Sequence, residues 1–200
     1  MYEKYVKRVF DIAIALAGFP IFLLLALIIG ISIKFEDRGP VFYVAERIGK
    51  NGRLFRMYKF RSMKVNAPNW LNPDGSTYNA KEDPRVTRIG RFIRETSLDE
   101  VPQILNVLKG DMSIVGPRPS LASALDTYRR DEFDKLKVRP GITGYVQAFY
   151  RNDLPNREKR LTDAWYANNL SLGLDLRILL RTIGAVLLRK GLYTNNGEKK

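Results

Sequence analysis

Twenty-two consecutive residues, Ile12 to Ile33, carry no charge and lie between Asp11 and Lys34. As a helix rising about 1.5 Å per residue the stretch is roughly 33 Å long, the depth of a bilayer's hydrocarbon core. A cleaved leader is a poor match, because the stretch is long and Lys34-Phe35-Glu36-Asp37-Arg38 follows it in place of a small-residue cleavage site. Two geometries remain, a straight transmembrane helix and a re-entrant helix–break–helix. Pro20, near the middle, removes one helix hydrogen bond and crowds the preceding turn. Both flanks are cationic, with Lys4, Lys7 and Arg8 before and Lys34 and Arg38 after. Such flanks prefer the cytoplasmic side, and a straight span must place one of them outside. Spanning helices kinked by proline are common, so composition alone leaves both geometries open.

The remaining residues can build a core, since 45% of the 200 residues are hydrophobic and 11% aromatic. A net charge of +13 points to a phosphate-bearing partner: nucleic acid, nucleotide or anionic lipid. Cysteine and histidine are absent, which excludes disulfides, thiolate or imidazole metal sites and Ser-His-Asp chemistry. Any catalysis must run on carboxylates, Lys, Arg, Tyr, Ser or Thr.

Val41 to Met63 reads as a β-hairpin turning at Asn51-Gly52. Residues 64 to 84 are polar, with Pro68, Pro73, Gly75 and Pro84, and read as a long loop or lid. A short helix is expected over Val86–Arg94, and another over about Asp99–Lys109, closed by Gly110. Ser120–Leu136 reads as a charged helix, residues 138 to 148 hold a Pro-Gly turn, and Asp163–Asn169 reads as helical. Leu176, Leu179, Leu180, Ile183 and Leu187 form an apolar stripe, with Arg177 and Arg181 off it and Arg189 and Lys190 beyond. That pattern suits a helix lying on an anionic membrane surface and equally a core helix with one solvated face.

Three clusters could carry chemistry. In Thr96-Ser97-Leu98-Asp99-Glu100-Val101-Pro102-Gln103, Ser97 and Glu100 have the spacing of a capping box, the structural reading. The functional reading is that adjacent carboxylates can hold a hard divalent cation while arginines at 88, 91, 94 and 118 supply phosphate ligands, the equipment of phosphoryl transfer. In Val115-Gly116-Pro117-Arg118-Pro119 an arginine between two prolines has little backbone freedom, so its fork can be held toward a phosphate. In Tyr58-Lys59-Phe60-Arg61 aromatic and basic residues alternate, placing Lys59 and Arg61 on one strand face.

The run from Thr96 to Pro119 closely resembles the bacterial sugar transferase family, the monotopic polyprenyl-phosphate phosphoglycosyl transferases. Lys7-Arg8-Val9-Phe10-Asp11, Tyr58-Lys59-Phe60-Arg61-Ser62-Met63, Asp83-Pro84-Arg85-Val86-Thr87-Arg88-Ile89-Gly90, Arg139-Pro140-Gly141-Ile142-Thr143-Gly144, Arg151-Asn152, Asp163, Tyr166 and Leu174-Asp175-Leu176 extend the match in order along nearly the whole chain. The resemblance implies an α+β fold. Residues 1–38 would form a re-entrant membrane helix broken at Pro20, with Arg8 at the membrane interface. Residues 39–200 would form a small catalytic domain of helices and a β-hairpin, with interfacial amphipathic helices, at the cytoplasmic face of a bacterial inner membrane.

The implied reaction moves sugar 1-phosphate from a UDP-sugar to undecaprenyl phosphate and releases UMP. Asp99 would be the nucleophile that forms an aspartyl phosphosugar. Asp99 and Glu100 would hold Mg²⁺, and Glu100 would position the metal or accept the lipid phosphate's proton, two roles the sequence does not separate. Lys59, Arg61, Arg94, Gln103, Pro117, Arg118, Pro119, Arg139, Arg151 and Asp163 would contact phosphate or substrate. Membrane lipids are expected partners and nucleic acid is not; the oligomeric state is left open. Two departures stand out: Phe19 replaces the serine often found before the proline, and Ala148-Phe149-Tyr150 replaces a smaller Asn-Gly. The second leaves the sugar open, with an N-acetylated UDP-hexosamine preferred. A non-enzymatic basic membrane scaffold is the rival reading, and it needs neither Asp99 nor a metal.

Overall fold

The computed structural model describes residues 2–72, 78, 80, 82–150 and 154–187. A π-helical turn, Tyr2–Val6, leads into α1, Lys7–Asp37. The apolar run dictates this helix, and its buried positions form one stripe: Asp11, Ala15, Phe22, Ile29 and Ile33. Steps of four and seven residues return to the same helix face, which packs on the rest of the protein. Away from that stripe, Leu16, Ile21, Leu23, Leu24, Leu27, Ile28 and Ile31 stand exposed. The helical stretch Tyr2–Asp37, with an 18-residue window of mean hydropathy 2.9, is long and apolar enough to cross a membrane.

The break expected at Pro20 does not interrupt the helix; α1 runs through it from Lys7 to Asp37. Packing on both sides of the proline explains this. Ala15 and Phe22 are both buried in one core, and Phe22 lies against Phe19 and Phe60. Burying a phenylalanine is worth about 1.5–3 kcal/mol, comparable to the roughly 3 kcal/mol that an interior proline costs. Arg38, with φ 57°, ends the helix.

The expected hairpin forms from β1, Phe42–Ile48, and β2, Leu54–Phe60, in antiparallel register with Tyr43 opposite Lys59 and Arg47 opposite Phe55. Asn51 and Gly52 both adopt positive φ, the geometry that makes Asn-Gly a hairpin signal. Ala45 and Met57 are buried on one face of the hairpin, and Ile48 and Phe60 on the other.

Helix α2, Arg88–Glu95, starts at Thr87, whose hydroxyl accepts from the Gly90 N–H. A 3₁₀ segment, Leu98–Gln103, passes into α3, Ile104–Lys109, and Gly110 closes it in the left-handed region. The single helix expected over 99–109 is thus half 3₁₀, which keeps Pro102 out of an α-helical interior. No capping box forms: Ser97 has φ 58° and makes no side-chain cap, which leaves Glu100 for other partners.

Strand β3, Ser113–Val115, pairs in parallel with β4, Gly141–Thr143. Between them the charged helix expected over 120–136 is instead two 3₁₀ segments, Ala122–Thr127 and Arg130–Lys137, separated by extended backbone at Tyr128 and Arg129. Helices α4, Tyr145–Phe149, α5, Asn156–Asn168, and α6, Leu172–Leu187, complete the fold, with α5 longer than expected. On α6 only the side chains up to residue 185 are described. There Ile178 is buried and Leu179 packs partly buried against the same core, while Leu176, Leu180 and Ile183 of the predicted stripe are exposed, so the stripe is split between core and surface. Leu187 lies beyond the described side chains, and Arg189 and Lys190 lie outside the described residues.

Both ends of α1 are tied to this one folded unit. At its start Lys7 pairs with Asp175 of α6 at 2.6 Å, and Asp11 accepts from the Ser113 hydroxyl and the Ile114 N–H, each at 2.8 Å. At its end Asp37 pairs with Arg61, and Glu36 accepts from the Arg88 and Ile89 N–H groups that open α2.

Candidate active site

Asn106 on α3 fixes the site's frame. Its amide acts as a missing strand, accepting from the Tyr58 N–H at 3.0 Å and donating to the Arg56 carbonyl at 2.7 Å. This locks β2 alongside the 3₁₀ segment that carries Asp99 and Glu100. Lys59 then reaches across and donates to Glu100 Oε1 at 2.6 Å, with Asp99 Oδ2 at 3.8 Å. Arg118 reaches the same Glu100 oxygen at 3.4 Å, although 58% of its side chain remains exposed.

The loop bearing Arg118 is held by close backbone approach. A Cβ on Gly144 would lie 2.1 Å from the Gly116 carbonyl oxygen, and one on Gly116 would lie 2.4 Å from the Arg139 carbonyl oxygen. Only glycine fits at either position without moving backbone. The Gly141 N–H also donates to the Pro117 carbonyl. Arg118 is therefore presented from a rigid support.

The two carboxylates differ. Burial, the strongest influence, raises the Asp99 carboxyl above its ordinary range; Lys59 opposes it and the Glu100 charge adds to it. Burial acts on Glu100 in the same direction, but Lys59 and Arg118, through charge and hydrogen bonds, outweigh it and pull the group down to about 2. Glu100 is the anchored anion of the pair. Asp99 accepts no hydrogen bond among the described residues.

The chain matches the bacterial sugar transferase family model over residues 2–189. It belongs to the bacterial sugar transferase family. It is 43% identical over 96% of its length to the UDP-galactose-lipid carrier transferase of Erwinia amylovora, and 40% identical over 96% to the undecaprenyl-phosphate galactose phosphotransferase of Salmonella typhimurium. In each case it covers 42% of the relative, so the chain spans about two fifths of those proteins. It is 41% identical to the exopolysaccharide production protein ExoY of Rhizobium meliloti over 94% of the chain and 88% of that relative.

In this family member Lys59, Asp99, Glu100 and Arg118 converge. Arg94 donates to Ser62 at 2.9 Å and lowers the Asp99 carboxyl through its charge, so it stands at the edge of the cluster. Pro117 is buried and Pro119 half-buried on either side of Arg118, and Gln103 is buried at the end of the 3₁₀ segment. Asp163 pairs with Lys135 at 2.9 Å, and Lys135 also donates to the Arg118 carbonyl, so Asp163 stands behind the arginine loop.

Three predicted residues go elsewhere. Arg61 leaves Lys59 and grips Asp37, the Pro40 carbonyl and the Met63 carbonyl. Arg139 donates to the Gly110 carbonyl, and Arg8 to the Val107 and Leu108 carbonyls. Both thus serve as cationic caps at the end of α3, and Arg8 ties α1 to it. Arg151 lies outside the described residues.

Asn106 was missed from the sequence, because a lone asparagine in a helix gives no pattern to find. Asp37 and Glu36 give no signal in the sequence beyond their place in the charged run after the apolar segment.

Proposed function

We propose that this protein transfers sugar 1-phosphate from a UDP-sugar to undecaprenyl phosphate through a covalent intermediate on Asp99. One observation carries the reading: a desolvated aspartate that accepts no hydrogen bond among the described residues, beside a glutamate that already holds Lys59 and Arg118. The relatives' names support the same class of donor and acceptor.

In the first step an Asp99 oxygen attacks the β-phosphorus of the donor. The bond from that phosphorus to the bridging oxygen breaks, and UMP departs with the electron pair. In the second step a phosphate oxygen of the lipid attacks the same phosphorus, and the Asp99–phosphorus bond breaks. Lys59 and Arg118 stabilise charge on the phosphoryl oxygens, and burial keeps water from the acyl phosphate. Glu100 holds the two cations in place while staying ionised.

The donor set suits Mg²⁺. Both Asp99 oxygens and Glu100 Oε2 accept no hydrogen bond among the described residues, and Mg²⁺ takes one or two carboxylates with water and substrate phosphates completing the shell. Asp99 and Glu100 would hold the ion, and when bound it neutralises the diphosphate.

The membrane reading places α1 in one leaflet without crossing. A crossing helix carries its ends to opposite aqueous sides, whereas here Lys7 and Asp11 at one end and Glu36 and Asp37 at the other engage a single domain. The exposed Leu176, Leu180 and Ile183 of α6 supply a second apolar contact for a membrane surface, and the cationic flanks of α1 favour the cytoplasmic face. Tags at both termini should then label only from the cytoplasmic side; periplasmic labelling of residue 1 would contradict the monotopic reading.

The chemistry is tested by UMP release from UDP-sugars with undecaprenyl phosphate and Mg²⁺. Asp99→Asn should abolish release while leaving membrane attachment intact. An active Asp99→Asn enzyme would remove the nucleophile, and absence of release with every UDP-sugar would favour the scaffold reading.

A further inference from the structure

Arg47 is half-buried on β1, and its guanidinium has no ion-pair or hydrogen-bond partner among the described residues. Other buried or half-buried cations are satisfied. Lys7, Arg61, Arg85, Lys135 and Arg160 each hold a carboxylate, and Arg8 and Arg139 hold carbonyls. A desolvated cation left open in this way is costly unless a ligand completes it.

Its placement says which ligand. The register puts Tyr43, Ala45 and Arg47 on the hairpin face that carries Lys59 and Met57. Lys59 on that face already reaches the catalytic carboxylates. At its far end the same strand is stitched to the arginine loop: Arg47 bridges Leu121, and the Ile48 N–H donates to the Ser120 carbonyl at 3.0 Å. Arg118 stands two residues before Ser120. Burial and the neighbouring Arg118 charge both push the Arg47 proton affinity down, and Tyr43 only partly compensates. Two arginines brought together with one carboxylate between Lys59 and Arg118 leave positive charge in excess. Planar forks of this kind suit paired phosphate oxygens.

We propose that Arg47 and Arg118 together seat the diphosphate of the nucleotide-sugar donor, with Arg47 on the phosphate that departs with the nucleotide. The inference rests on the transferase reading above and assigns that site a residue. When the β-phosphorus–bridging oxygen bond breaks, the electron pair goes to the oxygen of the leaving nucleoside monophosphate. Arg47 meets that growing charge, while Lys59 and Arg118 stay with the phosphoryl group on Asp99.

The test uses the full-length protein in lipid and two probes, UDP binding and steady-state kinetics. Arg47→Gln should weaken UDP binding by about tenfold or more and lower kcat/KM for the donor to a similar degree, with the acceptor KM within about twofold. Arg47→Lys, which keeps the charge and loses the fork, should fall between Arg47→Gln and the parent. It also decides the matter if Arg47→Gln does not fold. UDP affinity within about twofold of the parent in a folded variant would overturn the assignment. So would an effect confined to the acceptor KM, which would move Arg47 to the lipid phosphate. A parent that binds UDP through Arg47 yet releases no UMP from any UDP-sugar would leave the seat standing and sink the transferase reading instead.

Discussion

Two buried carboxylate clusters in this protein use similar groups and leave them in opposite states. Around Asp175 every valence is filled: Lys7 and Tyr2 donate to one oxygen, and Tyr166 donates to the other at 2.6 Å. Around Asp99 the cations go to its neighbour, and the aspartate itself accepts nothing among the described residues. The closed cluster joins the start of α1 to α6 and has no capacity left for a ligand. The open one is held from outside, through Asn106, the Gly116–Gly144 contact and the cationic caps on α3, and its Asp99 oxygens accept no hydrogen bond among the described residues. The difference teaches what to look for in separating a structural ion pair from a proposed reactive one: the proposed nucleophile Asp99 is positioned by its neighbours' hydrogen bonds and accepts none of its own among the described residues, whereas Asp175 accepts three.

Neutralising each aspartate should break the comparison most visibly. Asp99→Asn should cost at least about 10³-fold in turnover with little change in thermal stability, since no hydrogen bond is lost. Asp175→Asn should do the reverse. It strands Lys7 in a buried site, for which about 3–5 kcal/mol of destabilisation is expected, measured as a fall in Tm in the same lipid. Equal stability losses in the two variants would erase the distinction.

A smaller effect sharpens it. Lys59 lowers both the Asp99 and the Glu100 carboxyl, so Lys59→Met should raise both. Attack requires ionised Asp99. The acid limb of donor-dependent UMP release should therefore lie at higher pH in Lys59→Met than in the parent. Glu100, held at about 2 against its ordinary value of 4.5, contributes stability that is full above 4.5 and is lost as pH falls from there through about 2. An unchanged pH profile in Lys59→Met would place Lys59 outside the pair's field.

Much of this was legible in the residues. Asn51-Gly52 named its own turn, Gly110 its helix end, and the uncharged run its helix, because each is local chemistry. The Asp-Glu pair and the Gly116–Pro119 segment were legible as candidates for the same reason. What could not be read was which cation goes where. Lys59 and Arg61 sit two residues apart on one strand, yet one turns to Glu100 and the other to Asp37, and only the packing of α1 along the domain decides that. Pro20 misled in the same way, since the sequence shows the lost hydrogen bond but not the Ala15 and Phe22 contacts that hold the helix through it. The 120–136 stretch reads as a charged helix but folds as two 3₁₀ segments, whose Glu132 and Lys135 pair across the fold with Arg160 and Asp163, partners that no local pattern announces.

The account stands on a covalent bond at one aspartate oxygen. Intact-protein and peptide mass spectrometry after mixing the enzyme with UDP-sugar and Mg²⁺, with no lipid acceptor, tests it directly. A mass increase of one sugar phosphate on a peptide containing Asp99, discharged when undecaprenyl phosphate is added, is the predicted result. Product formation with no such adduct, or an adduct on a different residue, would contradict it.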